Sequence, residues 1–194
     1  MTVPADQPLF AFAGHRLLAR GSTAEVVAAV KTATDAGETV LTFEAATGRV
    51  VDLDLRGDLA AALARLTPAS EPEKRGPGRP KLGVTAREVT LLPRHWDWLA
   101  GQPGGASVAL RKLVEGALKE AEGPDRARRA KEATYQFMTA IAGDLPGYEE
   151  ATRMLFAGDW TAFDAAVEGW PEGVRETARG MAAGAWRNGA AASA

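Results

Sequence analysis

Residues 87–118 read REVTLLPRHWDWLAGQPGGASVALRKLVEGAL. The first six of them, 87–92, mix apolar and polar side chains in a way that predicts one short strand. Pro93 suits the first turn of a helix, and the run 103–105, Pro-Gly-Gly, predicts a turn after that helix. Ser107 is a favourable N-cap for a second helix, along which apolar residues recur every three or four positions. The order is therefore strand, helix, turn, helix.

This order and spacing resemble the ribbon-helix-helix family of bacterial DNA-binding proteins. The resemblance implies that two chains pair their single strands into an antiparallel ribbon that enters the major groove. A lone strand with two short helices leaves its edge hydrogen bonds unmade and its apolar face uncovered, so we expect a homodimer. The resemblance also implies that 105–107, at the start of the second helix, donates backbone N–H groups to a DNA phosphate.

The strand departs from the family pattern, in which polar base readers alternate with apolar residues. If Thr90 and Leu92 point inward, the odd-numbered positions from Arg87 onward face the DNA. In the opposite orientation Glu88 and Thr90 face it. Neither face is rich in hydrogen-bond donors, although a glutamate can accept a hydrogen bond from N4 of cytosine. Both orientations are open from the sequence.

Positive charge is concentrated in the middle of a chain whose formal net charge is −2. Between Lys74 and Val114, eight basic residues stand against two acidic ones. Within this stretch 77–81 reads PGRPK and resembles the core of an AT-hook, although Pro77 stands where the usual motif has arginine. In such a segment Gly permits close approach to the minor groove, Pro keeps the backbone extended, and Arg is drawn to A·T tracts. A solvated, charged linker is the alternative interpretation.

These features predict DNA contacts from side chains of the central stretch. The predicted contact residues are Arg75, Arg79, Lys81, Arg87, Thr90, Arg94, Ser107, Arg111 and Lys112. The function that follows is a homodimeric DNA-binding protein, either a transcriptional regulator or a nucleoid-associated factor. The alternative is a non-catalytic dimerisation or protein-interaction protein that does not bind DNA.

The whole chain predicts an α+β protein with a small N-terminal α/β module, a central ribbon-helix-helix-like element and a C-terminal helical bundle. The predicted boundaries are 1–66 for the module, 67–82 for a basic Pro/Gly linker, 83–123 for the central element, 124–187 for the helical domain and 188–194 for a flexible tail.

In the N-terminal module we expect two strands around a turn at 14–15, a helix opened by the capping box Ser22–Glu25, a hairpin around 47–48 with strands 40–43 and 50–55, and a helix over 58–66. One face of the sheet is expected to be covered, with Val51, Leu53 and Leu55 inward. From 124 onward, breaks at 143–146, 158–159 and 170–171 predict four helices. Their expected core is Phe137, Met138, Ile141, Met154, Leu155, Phe156, Trp160, Phe163, Val167, Val174 and Met181.

No catalytic, metal or cofactor site is indicated. The chain has no cysteine and two histidines, His15 and His95. Asp52 and Asp54 share the face of a predicted strand, but no third ligand lies near them in sequence, so a solvated sheet face is the better interpretation. No apolar run approaches the roughly 20 residues that span a bilayer, and the first eight residues lack the features of a signal peptide. We expect a cytoplasmic, non-enzymatic protein without cofactor or metal.

Three segments taken together carry a more specific resemblance. They are 82–96, 104–114, and 137–140 with 142–147. Together they are similar to a bacterial family known as domain of unknown function 2239. The resemblance spans nearly the full chain and implies no activity.

Overall fold

The structure, a computed structural model, describes residues 7–66 and 87–186. The chain divides into two compact units. Unit 1 combines Met1–Ala69 with Gly123–Ala194, and unit 2 is Ser70–Glu122. The predicted linker over 67–82 with its AT-hook-like motif, and the predicted tail over 188–194, lie outside the described residues.

Unit 1 contains a three-stranded antiparallel sheet of order β2-β1-β3, formed by β1 (Leu9–Ala13), β2 (Arg16–Gly21) and β3 (Val40–Glu44). The first two strands meet at the predicted turn. Successive side chains of a strand point to opposite faces, and the first four residues of the central strand β1 are buried. Leu9 and Ala11 pack on one face and Phe10 and Phe12 on the other.

The face carrying Leu9 and Ala11 is covered by α1 (Thr23–Asp35), and α2 (Leu59–Leu66) packs on α1 through Ala62 and Val27. The predicted capping box is confirmed at the start of α1, where the backbone N–H of Ser22 donates to Glu25 Oε2 at 2.9 Å and the Ser22 hydroxyl accepts from the backbone N–H of Glu25. The capping box satisfies two backbone donors that a helix N-terminus otherwise leaves free. The apolar side chains of Val26, Val27, Val30 and Ala33 on α1 are buried.

The prediction that residues 50–55 form the second strand of a hairpin around 47–48 is wrong. Only a single bridge joins Phe43 to Val50, and the last ladder-like bond runs from the Val51 N–H to the Thr42 carbonyl at 2.8 Å. Beyond that point the Asp54 carboxylate accepts from the backbone N–H of Arg56 at 3.2 Å, a local turn that competes with strand pairing. The inward-facing prediction nevertheless holds, because Val51, Leu53 and Leu55 are half-buried against the sheet and α1.

The C-terminal part of unit 1 is helical, as predicted, with breaks at the predicted positions. It comprises the end of α4 (Gly105–Ile141), then α5 (Tyr148–Ala157), α6 (Trp160–Val167) and α7 (Glu172–Trp186). The predicted core residues are buried or half-buried except Phe156, which is 50% exposed and meets Tyr135 edge to face at 5.5 Å between ring centroids.

The two ends of the chain share one hydrophobic core, which corrects the prediction of separate domains over 1–66 and 124–187. Phe12 lies 6.0 Å from Phe43 and 5.5 Å from Phe137, and Phe43 lies 5.1 Å from Phe137, between ring centroids. All three rings are fully buried. The sheet is therefore covered on both faces rather than one, because its aromatic face needs the C-terminal helices to exclude water.

Unit 2 contains α3 (Pro93–Ala100) and the first half of α4. Three expectations differ from the structure. Residues 87–92 form no strand in the single chain, where no described residue pairs with them. Helix α4 begins at Gly105, so Ser107 lies inside its first turn and is not its N-cap. The helix also continues through Pro124, across the predicted boundary between the central element and the helical domain.

Candidate nucleic-acid interface

The structure places six of the nine predicted DNA-contact residues, and all six are exposed on unit 2. They are Arg87, Thr90, Arg94, Ser107, Arg111 and Lys112. Arg87 and Thr90 lie in the segment before α3, Arg94 lies in the first turn of α3, and the other three lie in the first two turns of α4. Arg75, Arg79 and Lys81 lie outside the described residues.

The four cations of this set have no carboxylate partner among the described residues. Among residues 7–66 and 87–186 no ion pair involves Arg87, Arg94, Arg111 or Lys112; Arg111 Nε donates instead to the backbone carbonyl of Ser107 at 3.1 Å. Arg179 of unit 1 provides a contrast. There Glu168, with Glu176 and Asp164, surrounds Arg179 and raises the pKa of its guanidinium above the ordinary value. The cations of unit 2 thus keep their charge available for an external anion.

The N-terminus of α4 is shaped by two glycines in the left-handed region. Gly104 has φ +86° and Gly105 has φ +75°, and the Gly105 N–H donates to the Gln102 carbonyl at 2.9 Å to close the turn. A Cβ at Gly104 would lie 3.1 Å from the Val108 side chain. The first backbone N–H groups of a helix have no intrahelical acceptor, and the first turn of α4 holds no acidic residue. This end of the helix therefore favours an anion.

The same unit exposes most of the large apolar side chains that the described chain leaves in solvent. They are Val89, Leu92, Trp96, Trp98, Leu113, Val114 and Leu118, between 41% and 63% exposed. Beside them lies a small apolar hollow of about 260 Å³, lined by Leu91, His95, Trp98, Leu99, Leu110 and Leu113. Several large apolar side chains exposed on one small unit are typical of a surface that binds a partner.

The sequence identified the apolar stripe of α4 but not its exposure. Helical spacing selected Leu113, Val114 and Leu118 as one face, yet these side chains are 52%, 55% and 63% exposed. Periodicity shows that residues share a face and does not show what covers it. The tryptophans divide in the same way: Trp170 is buried and Trp186 packs on Trp160, whereas Trp96 and Trp98 are exposed.

Leu91 bears on the orientation of the 87–92 segment, which the sequence left open. Its side chain lines the apolar hollow with Leu99 and Leu110. If the segment becomes a strand, positions of the same parity as Leu91 face inward, and Glu88 and Thr90 face outward.

The other candidate sites carry less chemistry. The described residues contain no group of three or more His, Cys, Asp or Glu side chains placed to hold a metal ion. Asp54 is held by the Arg56 side chain, at 2.9 Å to Nε and 2.7 Å to Nη2, and this contact, with Arg65 nearby, lowers the pKa of its carboxyl below the ordinary value. Asp54 is thus an ion-pair partner in the loop before α2. None of the helices in the described ranges combines the length and apolar content needed to cross a membrane.

Comparison with known proteins identifies the family. The chain belongs to a bacterial family described as an uncharacterised protein conserved in bacteria, domain of unknown function 2239, whose match covers residues 8–182. The match includes both units, so the central element and the shared core of unit 1 both fall inside the family. No curated protein and no solved structure matches the chain.

Proposed function

We propose that this protein is a homodimeric DNA-binding protein in which the 83–123 elements of two chains pair. The observation that carries the proposal is the coincidence, on one small unit, of an uncovered apolar face and cations without carboxylate partners. A second copy of the chain covers the apolar face, and the phosphates of a duplex neutralise the cations.

A second copy suits this surface better than an unrelated partner. Residues 87–92 find no ladder partner among the described residues, and an antiparallel pair of identical segments satisfies the edge groups of both strands at once. Such pairing also brings the exposed Val89, Leu113 and Leu118 of each chain toward a common centre, where burial of apolar area stabilises the dimer.

In the paired ribbon, the inward position of Leu91 directs Glu88 and Thr90 toward the major groove. Thr90 has a hydroxyl that can donate or accept, and Glu88 can accept from N4 of cytosine. Arg94, Arg111 and the N-terminus of α4 then contact phosphates, which fixes the ribbon in the groove. The AT-hook-like segment 77–81, directly before the element in sequence, adds a minor-groove arm.

The test is a mobility-shift titration of the full chain against genomic and A·T-rich duplexes over a salt series. Each phosphate contact should contribute roughly −0.9 to the slope of log affinity against log salt. The double variant Arg111→Ala with Lys112→Ala should weaken binding to all sequences and make the slope shallower. Arg153→Ala, which removes an exposed arginine of unit 1 paired with Glu150, is the matched control. Absence of binding at low salt, or a slope that does not respond to the double variant, would contradict the proposal.

One observation favours the alternative, a dimerisation or protein-interaction protein without DNA binding. Between 87 and 122 the chain carries five basic and five acidic residues, so the described element has no net positive charge and the basic excess lies in 74–81. This alternative expects Arg79→Ala with Arg111→Ala to leave partner binding unchanged, while Leu91→Asp abolishes it.

The proposal places the protein in the cytoplasm, as a transcriptional regulator or nucleoid-associated factor without catalytic activity. The family match adds no activity to this assignment, so the residues of unit 2 carry it.

A further inference from the structure

Unit 1 contains an open cleft of about 640 Å³, apart from the nucleic-acid interface. It lies among β1, β2, the loop at 45–46, α4 and α7, and all of its lining residues belong to unit 1. The volume is in the range of small-molecule sites, roughly 300–1,000 Å³.

Three arginines line the cleft and no carboxylate does. They are Arg20 from β2, and Arg126 and Arg129 from α4. None of the three forms an ion pair within the described ranges. Arginines just outside the cleft do: Arg128 pairs with Asp125 at 3.0 Å, and Arg179 is surrounded by acids. Unpaired guanidiniums gathered at one cleft repel one another, and a bound anion relieves this repulsion.

Arg20 is held in place before any ligand arrives. Its Nη2 donates to Oγ1 of Thr177 at 3.1 Å, and Thr177 is fully buried. Its guanidinium carbon lies 5.0 Å above the ring of Phe10, in cation–π distance. On α4, Arg129 Nε donates to the Asp125 carbonyl at 3.2 Å, and no hydrogen bond within the described residues occupies its two terminal nitrogens. Guanidiniums fixed in this way lose little conformational entropy on binding.

Apart from Thr177, the remaining lining residues are apolar. Phe10, Ala130, Ala133 and Met181 supply the apolar surface. Gly180 lies on the same wall, and a Cβ at this position would meet nothing within 4 Å. The cleft therefore has room for an apolar group beside its cationic edge.

We infer that this cleft binds a small organic anion, a carboxylate or a phosphate monoester attached to a short apolar body. The arginines take the anionic group through charge-assisted hydrogen bonds, and the surface around Phe10 and Met181 takes the apolar body. The inference does not depend on DNA binding, since it uses residues of unit 1 alone.

The test uses the full chain and four probes: phenyl phosphate, benzoate, inorganic phosphate and the neutral benzamide. Isothermal titration should show binding of phenyl phosphate or benzoate, and comparison of these two identifies the anionic group preferred. Arg126→Gln with Arg129→Gln should weaken binding about tenfold or more, since charge-assisted hydrogen bonds are lost. Arg128→Gln, on the same helix but outside the cleft, should leave affinity unchanged.

A second variant keeps the test independent of the arginines. Gly180→Leu places a side chain in open space within the cleft and adds a good helix former to α7, so the protein should fold and lose binding of the organic anions. The proposal is overturned if no organic anion binds at millimolar concentration, or if benzamide binds as well as benzoate. Equal affinity for inorganic phosphate and phenyl phosphate overturns the apolar part. If instead a DNA duplex loses affinity through the double arginine change, the cleft belongs to a nucleic-acid surface and the inference fails.

Discussion

Gly48 lies directly against the backbone of α4. Its φ is +67°, and a Cβ at this position would lie 1.8 Å from the carbonyl oxygen of Ala133. Neither the backbone angle nor the space admits a side chain. We expect Gly48→Ala to reduce the free energy of unfolding by about 3 kcal/mol or more, combining left-handed strain with overpacking. Urea denaturation measures this loss.

Gly14 provides the matched control. It also has a positive φ, +54°, but a Cβ there would meet nothing within 4 Å. Gly14→Ala should therefore reduce the free energy of unfolding only by the left-handed backbone strain, about 1–2 kcal/mol. Equal losses at the two glycines would contradict the close approach of the 47–48 turn to α4.

Asp54 links stability to pH through its contacts with Arg56 and Arg65. These contacts lower the pKa of the carboxyl below its ordinary value of 3.8 in the folded chain. A lowered folded pKa adds stability above the unfolded pKa, and this stability is lost as the pH falls through and below that value. Asp54→Asn should therefore flatten the acid limb of the stability curve below about pH 4. Thermal unfolding over a pH series measures the acid limb of the stability curve. Asp52→Asn is the control, because Asp52 forms no ion pair in the described ranges. An unchanged acid limb in Asp54→Asn would contradict the assignment.

At the scale of single elements, α4 lacks one backbone hydrogen bond at Pro124 but remains a continuous helix. Pro124 lies inside the helix, where it has no N–H to donate to the Glu120 carbonyl. The boundary between the two units falls beside it, at Glu122 and Gly123. Pro124→Ala should restore the missing bond and raise the free energy of opening in this segment by about 1–3 kcal/mol.

Hydrogen exchange measures this change as slower exchange of the amides from 120 to 128. Pro93→Ala is the matched control, because Pro93 lies in the first turn of α3, where no intrahelical bond is missing. If exchange slows after Pro93→Ala, or does not slow after Pro124→Ala, the role given to Pro124 is contradicted.

Local signals predicted most of the elements. The Ser22–Glu25 capping box predicted where α1 begins. The alternate positions of Phe10 and Phe12 are typical of a strand and agree with β1. Where local signals compete, the sequence was a poorer guide. The alternation at 50–55 placed its side chains correctly but could not show that the turn at Asp54 ends the pairing. The domain boundary predicted between 123 and 124 falls inside the continuous helix α4.

The merging of the chain ends could not be predicted in this way. Phe12, Phe43 and Phe137 each look like core residues of a local module, and a single sequence does not record which apolar faces meet. The cleft arginines were missed for the same reason: Arg20 is more than a hundred residues from Arg126 and Arg129. Only the fold brings them to one place. The DNA-contact residues, by contrast, are close in sequence, and their chemistry could be proposed from spacing alone.

At the scale of the whole molecule, the proposal requires two chains. Leu113→Asp places a charge in the apolar face of unit 2 and should convert a dimer to a monomer, because burying an unpaired carboxylate is strongly unfavourable. Val50→Asp, at a 44% exposed position of unit 1, should leave the dimer intact. Light scattering after size exclusion gives both masses. A wild-type protein that is monomeric at all concentrations would contradict the paired ribbon.

The shared aromatic core also determines when the protein can fold during its synthesis. The rings of Phe10 and Phe12 leave the ribosome well before the helices that cover them, which include residues up to Ala182. The nascent chain must therefore carry an uncovered aromatic sheet face until those helices emerge, since the N-terminal strands cannot complete a core alone. Unit 2, whose contacts are local, emerges in the interval. In this chain α7 completes the cover of the sheet, and a ribosome stalled before α7 would hold a chain in need of a chaperone.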